Sequence, residues 1–169
     1  ACGLTRRGLY KHFKSKEDIF RATLRFQNAE AFEAGEWAAK KELARGGSAL
    51  DVVTAWLDTR FGATRRAIVR SPYGAEVNTM AFELGSDVML EVSKESNARV
   101  TELLDTLCAR KMLRLRNGVT SADAALLIAD GARGVNQQRP AIPVSELAPR
   151  YRRIAEAILY GCAEPASNG

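Results

Sequence analysis

Residues 3–20 read GLTRRGLYKHFKSKEDIF, and this stretch decides how the rest of the chain is read. Arg6, Arg7, Lys11, Lys14, Lys16, Arg21 and Arg25 are seven cations in the first 25 residues, opposed by Glu17 and Asp18. The 169-residue chain has 25 basic and 20 acidic residues, so the remainder balances at 18 against 18 and the whole excess of +5 lies at one end. A charge excess concentrated in this way suits a surface that meets a polyanion; the alternative is a solvated basic helix end. Placed on a helix, Leu4, Leu9 and Phe13 fall broadly on a packing side, and Thr5, Arg6, Arg7, Tyr10 and Lys11 on an outer arc. Arginine can pair bidentately with a guanine edge, and hydroxyls and lysines reach phosphates.

Working outward, helix signals recur and strand signals are almost absent. Ser15/Asp18, Ser48/Asp51 and Thr120/Asp123 each place a hydroxyl three residues before an acid, the pattern that caps a helix N-terminus from both sides. Apolar stripes of helical period follow: Leu50, Val53, Leu57, Phe61, Thr64, Ile68; then Val88, Val92, Val100, Leu103, Leu107; then Leu147, Tyr151, Ile154, Ile158, Cys162. Gly46-Gly47, Ser71-Pro72-Tyr73-Gly74, Gly85, Asn117-Gly118 and Pro140–Pro143 punctuate them. The pattern predicts an all-α chain with helices over 4–12, 16–42, 48–70, 74–84, 86–113, 120–137 and 146–162. A kink or end is expected near Gly35, and a disordered tail over 163–169.

Several function classes lose ground on composition. Cys2, Cys108 and Cys162 are too scattered for a metal site or a disulfide framework and suit reduced thiols in a cytoplasmic protein. His12 is the only histidine and has no acid beside it, which argues against a catalytic centre. No cofactor or metal site is expected, and no apolar run approaches a membrane span.

The residues from Gly3 to Phe20 resemble the signature of TetR-family transcriptional regulators. That signature runs from the turn of a helix-turn-helix, through a Leu-Tyr-x-His/Tyr-Phe recognition helix, to Ser-Lys-Glu-Asp/Glu at the next helix. The resemblance implies that Thr5, Arg6 and Arg7 face the DNA groove and that Tyr10, Lys11 and His12 touch the DNA backbone. Lys16 would hold a phosphate with help from the helix N-terminus, and Leu9, Phe13, Ile19 and Phe20 would pack the head. Gly8 stands where the family often has a side chain, removing one contact and weakening the helix. The family has two helices before the position of Gly3, so a preceding segment is expected to be absent from this chain.

Under that resemblance, residues 1–42 form a helix-turn-helix remnant with a connecting helix, and residues 48–162 a helical ligand-binding and dimerisation domain. Trp56, Arg60, Phe61, Tyr73, Met80, Phe82, Met89 and Leu104 are candidate pocket residues, each of which could instead simply fill core. An apolar or amphipathic small molecule is the expected effector. Ala122, Ala125, Ala129 and Ala132 permit close helix approach, and with Leu147, Tyr151, Ile154 and Ile158 they are the candidate homodimer face; the alternative is a core within one chain. The expected function is a ligand-responsive regulator, usually a repressor, that binds a palindromic double-stranded DNA operator as a homodimer. A helical adaptor or an enzyme with a helical pocket are the rivals.

Overall fold

Three hydroxyls set the frame of the computed structural model, which describes residue 8 and residues 10–164. Ser15 accepts a hydrogen bond from the Asp18 amide at 3.1 Å and opens α1, Lys16–Ala44. The Asp18 carboxylate takes the amide of Lys14 rather than that of Ser15, so only half of this capping box forms. Ser48 and Thr120 form complete boxes with Asp51 and Asp123 and open α2, Ala49–Leu57, and α6, Ser121–Gln137. Between them lie α3, Ala63–Arg70, α4, Gly74–Glu83, and α5, Ser86–Ala109; α7 spans Leu147–Cys162.

The long elements close a ring. Helix α1 packs on α2, α2 on α7, α7 on α6, α6 on α5, and α5 returns to α1. Its interior is apolar, with Val53, Trp56, Leu57, Val100, Leu104, Leu107, Ile128, Leu147 and Tyr151 buried together. Each helix turns one apolar stripe into this core, and that burial, at about 25 cal/mol per Å² of apolar surface, is the main force holding the helices together.

The structure departs from the sequence expectations at four places. Helix α1 runs unbroken through Gly35, which serves instead as a crossing point: a Cβ there would sit 3.3 Å from both the Arg60 Cβ and the Trp56 Nε1. The expected single helix over 48–70 is interrupted by a π turn, Asp58–Gly62, in which the Ala63 amide reaches back five residues to the Asp58 carbonyl. The 86–113 helix ends at Ala109, and Arg114–Leu115 (β1) then pairs antiparallel with Ala163–Glu164 (β2). The first two residues of the expected tail are therefore ordered in a short ladder, and residues 165–169 lie outside those described. The expected 4–12 helix falls largely outside them too; Tyr10–His12 form a turn, closed by the Lys11 amide on the Gly8 carbonyl at 3.3 Å.

The Ser71–Tyr73 bend has a steric cause. A Cβ on Gly74 would lie 1.8 Å from the Ile68 carbonyl oxygen, so only glycine lets α4 fold back so closely on α3. This sharp return leaves space between α4 and the ring.

Candidate nucleic-acid interface and internal cavity

Of the residues expected to meet DNA, Thr5, Arg6 and Arg7 lie outside the described residues. Tyr10, Lys11, His12 and Lys16 are exposed, on the turn that leads into α1 and on its first position. Lys16 stands at the amino end of a 29-residue helix whose N-terminal partial positive charge adds to its own. The seven cations do not share one role, however. Arg21 Nε lies 3.2 Å from Asp87 Oδ1, and Arg25 Nε lies 3.1 Å from Glu91 Oε2, so these two brace α1 against α5. Farther along, Arg99 of α5 bridges Glu36 of α1 and Glu95 of its own helix. The spacing of Arg21 and Arg25, matched by Asp87 and Glu91, makes a four-charge ladder between the helices.

Below that ladder lies a cavity of about 900 Å³. Leu24 and Asn28 of α1, Arg60 and Phe61 of the π turn, Ile68 of α3, Phe82 of α4, Met89 and Val92 of α5, and Arg133 and Asn136 of α6 line it. Of the eight pocket residues expected from sequence, Arg60, Phe61, Phe82 and Met89 are therefore in its wall. Trp56 and Leu104 are not: both are buried in the ring core, Trp56 edge-on to Phe61 at 6.0 Å between ring centroids. Tyr73 stands outside on the Ser71–Gly74 bend, 67% exposed, and Met80, half-buried on α4, is not part of the cavity wall.

Part of the polar wall is organised around the π turn. The Asn136 side-chain amide donates to the Phe61 carbonyl within the π turn at 3.2 Å. Tyr151 donates to the other end of Asn136 at 2.5 Å, and burial holds its phenol well above the ordinary range, so it remains a donor. Arg66 clamps the start of the turn, donating at 2.8 Å to the Asp58 carboxylate and at 3.0 Å to the Asp58 carbonyl. Arg60 sits at the centre. It is 3% exposed, its guanidinium stacks on Phe32 and Phe61 at 4.2 and 5.1 Å, and one nitrogen donates to Asn28 Oδ1 at 2.8 Å. Burial first, then the nearby Arg133 and Arg99 charges, lower its pKa to about 10, which still leaves it protonated at neutral pH. Asn28, Arg133 and Asn136 were missed in the sequence because each is a lone polar residue on a helix; only the packing of three elements brings them to Arg60.

The small-residue face of α6 is turned inward. Ala125, Ala129, Ala132, Leu147 and Tyr151 are buried within the chain itself, because α6 and α7 use them to pack on each other and on α5 and α2. Residues with no surface left cannot line a contact with a second copy, so this part of the expected interface is corrected to intramolecular core. Ala122 is exposed, and Ile154 and Ile158 are half-buried; beside them on α6, Leu126 and Leu127 are exposed. Gly131 lets α7 approach there, since a Cβ would meet the Ile154 Cγ2 at 2.6 Å.

Tyr10, Lys11, His12 and Lys16 thus form an exposed, largely basic turn capped into the long helix α1. Residues 1–23 match the family model described as bacterial regulatory proteins, tetR family. By class, this supports a DNA-binding transcriptional regulator; by family, a TetR-family regulator, on a match that covers the first 23 of the 169 residues. No curated protein matches the chain. Among the described residues no helix is long and apolar enough to cross a membrane.

Proposed function

We propose that the protein is a ligand-responsive repressor that binds a palindromic operator as a homodimer and releases it when a small amphipathic molecule fills the cavity. One observation carries this reading. The helix that continues from the DNA-binding segment, α1, forms one wall of a 900 Å³ cavity, and α5 forms another, while Arg21–Asp87 and Arg25–Glu91 tie the same two helices together at the head end. A molecule that binds better when α1 and α5 are spread would shift the position of the head, and only such a difference in affinity can drive a switch. A tenfold loss of DNA affinity needs about 1.4 kcal/mol of it.

Dimerisation is supported by the apolar surface that Leu126 and Leu127 of α6 expose and that Ile154 and Ile158 of α7 leave half-covered, which two-fold symmetry would pair with itself. Such a pairing would hold two heads about one DNA turn apart, ~34–36 Å. Gel-shift of the protein with the DNA upstream of its own gene tests the reading, with sedimentation to report the oligomer. Retardation is expected, and Lys16→Ala should weaken binding to all sequences alike and flatten its salt dependence, as loss of a phosphate contact does. No retardation of any duplex at low salt would end the proposal. Leu127→Arg should yield monomers that remain helical.

A further inference from the structure

Among the described residues, several arginines are supplied with acids. Arg66 has Asp58, Arg99 has Glu36 and Glu95, and Arg152 has Asp51. Arg60, the most buried of these, has no carboxylate within 4 Å among the described residues. Its Nε has no acceptor, and its one hydrogen bond goes to the neutral amide of Asn28. Across the cavity, Arg133 uses one nitrogen on Asp130, and its Nη1 is buried without an acceptor. With Arg65 and Arg139, the cavity wall carries four arginines and a single acid, Glu83. A buried guanidinium left with unmade hydrogen bonds is costly, and ring faces offset only part of that cost.

We propose that the cavity is a site for an organic carboxylate, whose headgroup pairs with Arg60 and Arg133 and whose alkyl or aryl remainder lies along Leu24, Phe82, Met89 and Val92. This rests on the reading of the cavity as a ligand site and adds the charge of the ligand. A carboxylate fits because it is planar, accepts two parallel bonds from one guanidinium, and brings the single negative charge that Arg60 lacks. Arg60, Asn28, Arg133 and Asn136 come from the π turn, α1 and α6, whereas Val77, Phe82, Met89, Leu90 and Val92 of α4 and α5 supply apolar wall among Asn78, Thr79, Ser93 and Ser96. A neutral amphiphile makes the same tail contacts but brings no charge to the Arg60 and Arg133 donors, so it should bind more weakly than the carboxylate.

Calorimetric titration of the protein with decanoate and with decan-1-ol, chains of equal length that differ in headgroup charge, tests the assignment. Decanoate should bind about ten- to a hundredfold more tightly than decan-1-ol, the range that hydrogen bonds to a charged group supply. In Arg60→Met that ratio should collapse toward one while decan-1-ol still binds, and in Arg60→Lys part of it should return. Should Arg60→Met not fold, Arg133→Gln replaces it, with a smaller drop in the ratio expected. Equal affinity for the two probes in the wild type, or a ratio unchanged in Arg60→Met, would overturn the anion assignment and leave the cavity as a ligand site. Binding of neither probe would remove both readings.

Discussion

The two sides of the helical ring are built on opposite terms. Where α6 meets α7 and α5, alanines and a glycine bring backbones close, Ala125, Ala129 and Ala132 have no exposed surface, and Leu104 and Tyr151 fill what space remains. Where α1 meets the π turn, α3 and α4, the wall is lined by long polar side chains, Phe82 is 48% exposed, and about 900 Å³ is left unfilled. The first side is packed for stability. The second gives up apolar contact and retains an uncompensated charge, the composition that the proposed ligand site requires.

That contrast can be broken most forcefully at Ala129. An arginine there would have to enter a core with no free volume, so Ala129→Arg should prevent folding outright, with helical circular dichroism lost at 25 °C. Leu104→Ala should cost about 3 kcal/mol in urea unfolding, the usual cost of a leucine cavity in a rigid core. Phe82→Ala, an equal or larger truncation on the cavity side, should cost less than about 1 kcal/mol, because its side chain is half in water already. Similar losses at Leu104 and Phe82 would show that the two sides do not differ as described. Tyr151→Phe lies between, at about 1–2 kcal/mol, since it leaves the Asn136 oxygen buried without its donor.

The smallest expected effect concerns the cap that ties α2 to α7. The hydrogen bond from Ser48, then that from Arg152 at 2.6 Å, hold the Asp51 pKa down to about 2 from 3.8. A carboxylate depressed by folding stabilises the protein fully above its unfolded value, and the contribution disappears as pH falls from about 4 toward 2. Asp51 is partly exposed, so the loss should stay below about 1 kcal/mol. Urea midpoints of wild type and Asp51→Asn should lie closer together at pH 3 than at pH 6.

Much of the fold was legible because its signals are local. Ser48, Thr120 and their acids mark helix starts within three residues, and Gly85 and the Gly46-Gly47 pair mark breaks, so most helix limits follow without tertiary information. The basic stretch was legible for the same reason, although Arg21 and Arg25 carry the same charge in sequence as Lys16 and do different work in the structure. The α6 alanines show the limit. Small residues at helical spacing state that something comes close, not whether it belongs to the same chain. The cavity was half legible: Phe82 and Met89 are apolar residues near a bend, but Arg60 becomes its centre only because the helix widens beneath it.

That widening has a consequence for how such a site can change. A π turn holds one residue more than the α-helix it interrupts, so every side chain after it is rotated by about 100° relative to a regular helix. Thr64, Arg65 and Ile68 face the cavity by virtue of that rotation. Deleting one residue between Asp58 and Gly62 would therefore exchange the whole α3 surface of the cavity for another. A single codon's loss would accomplish what would otherwise take several substitutions, and the shape and charge of the cavity could be rewritten while Ser15 and the start of α1 stayed as they were.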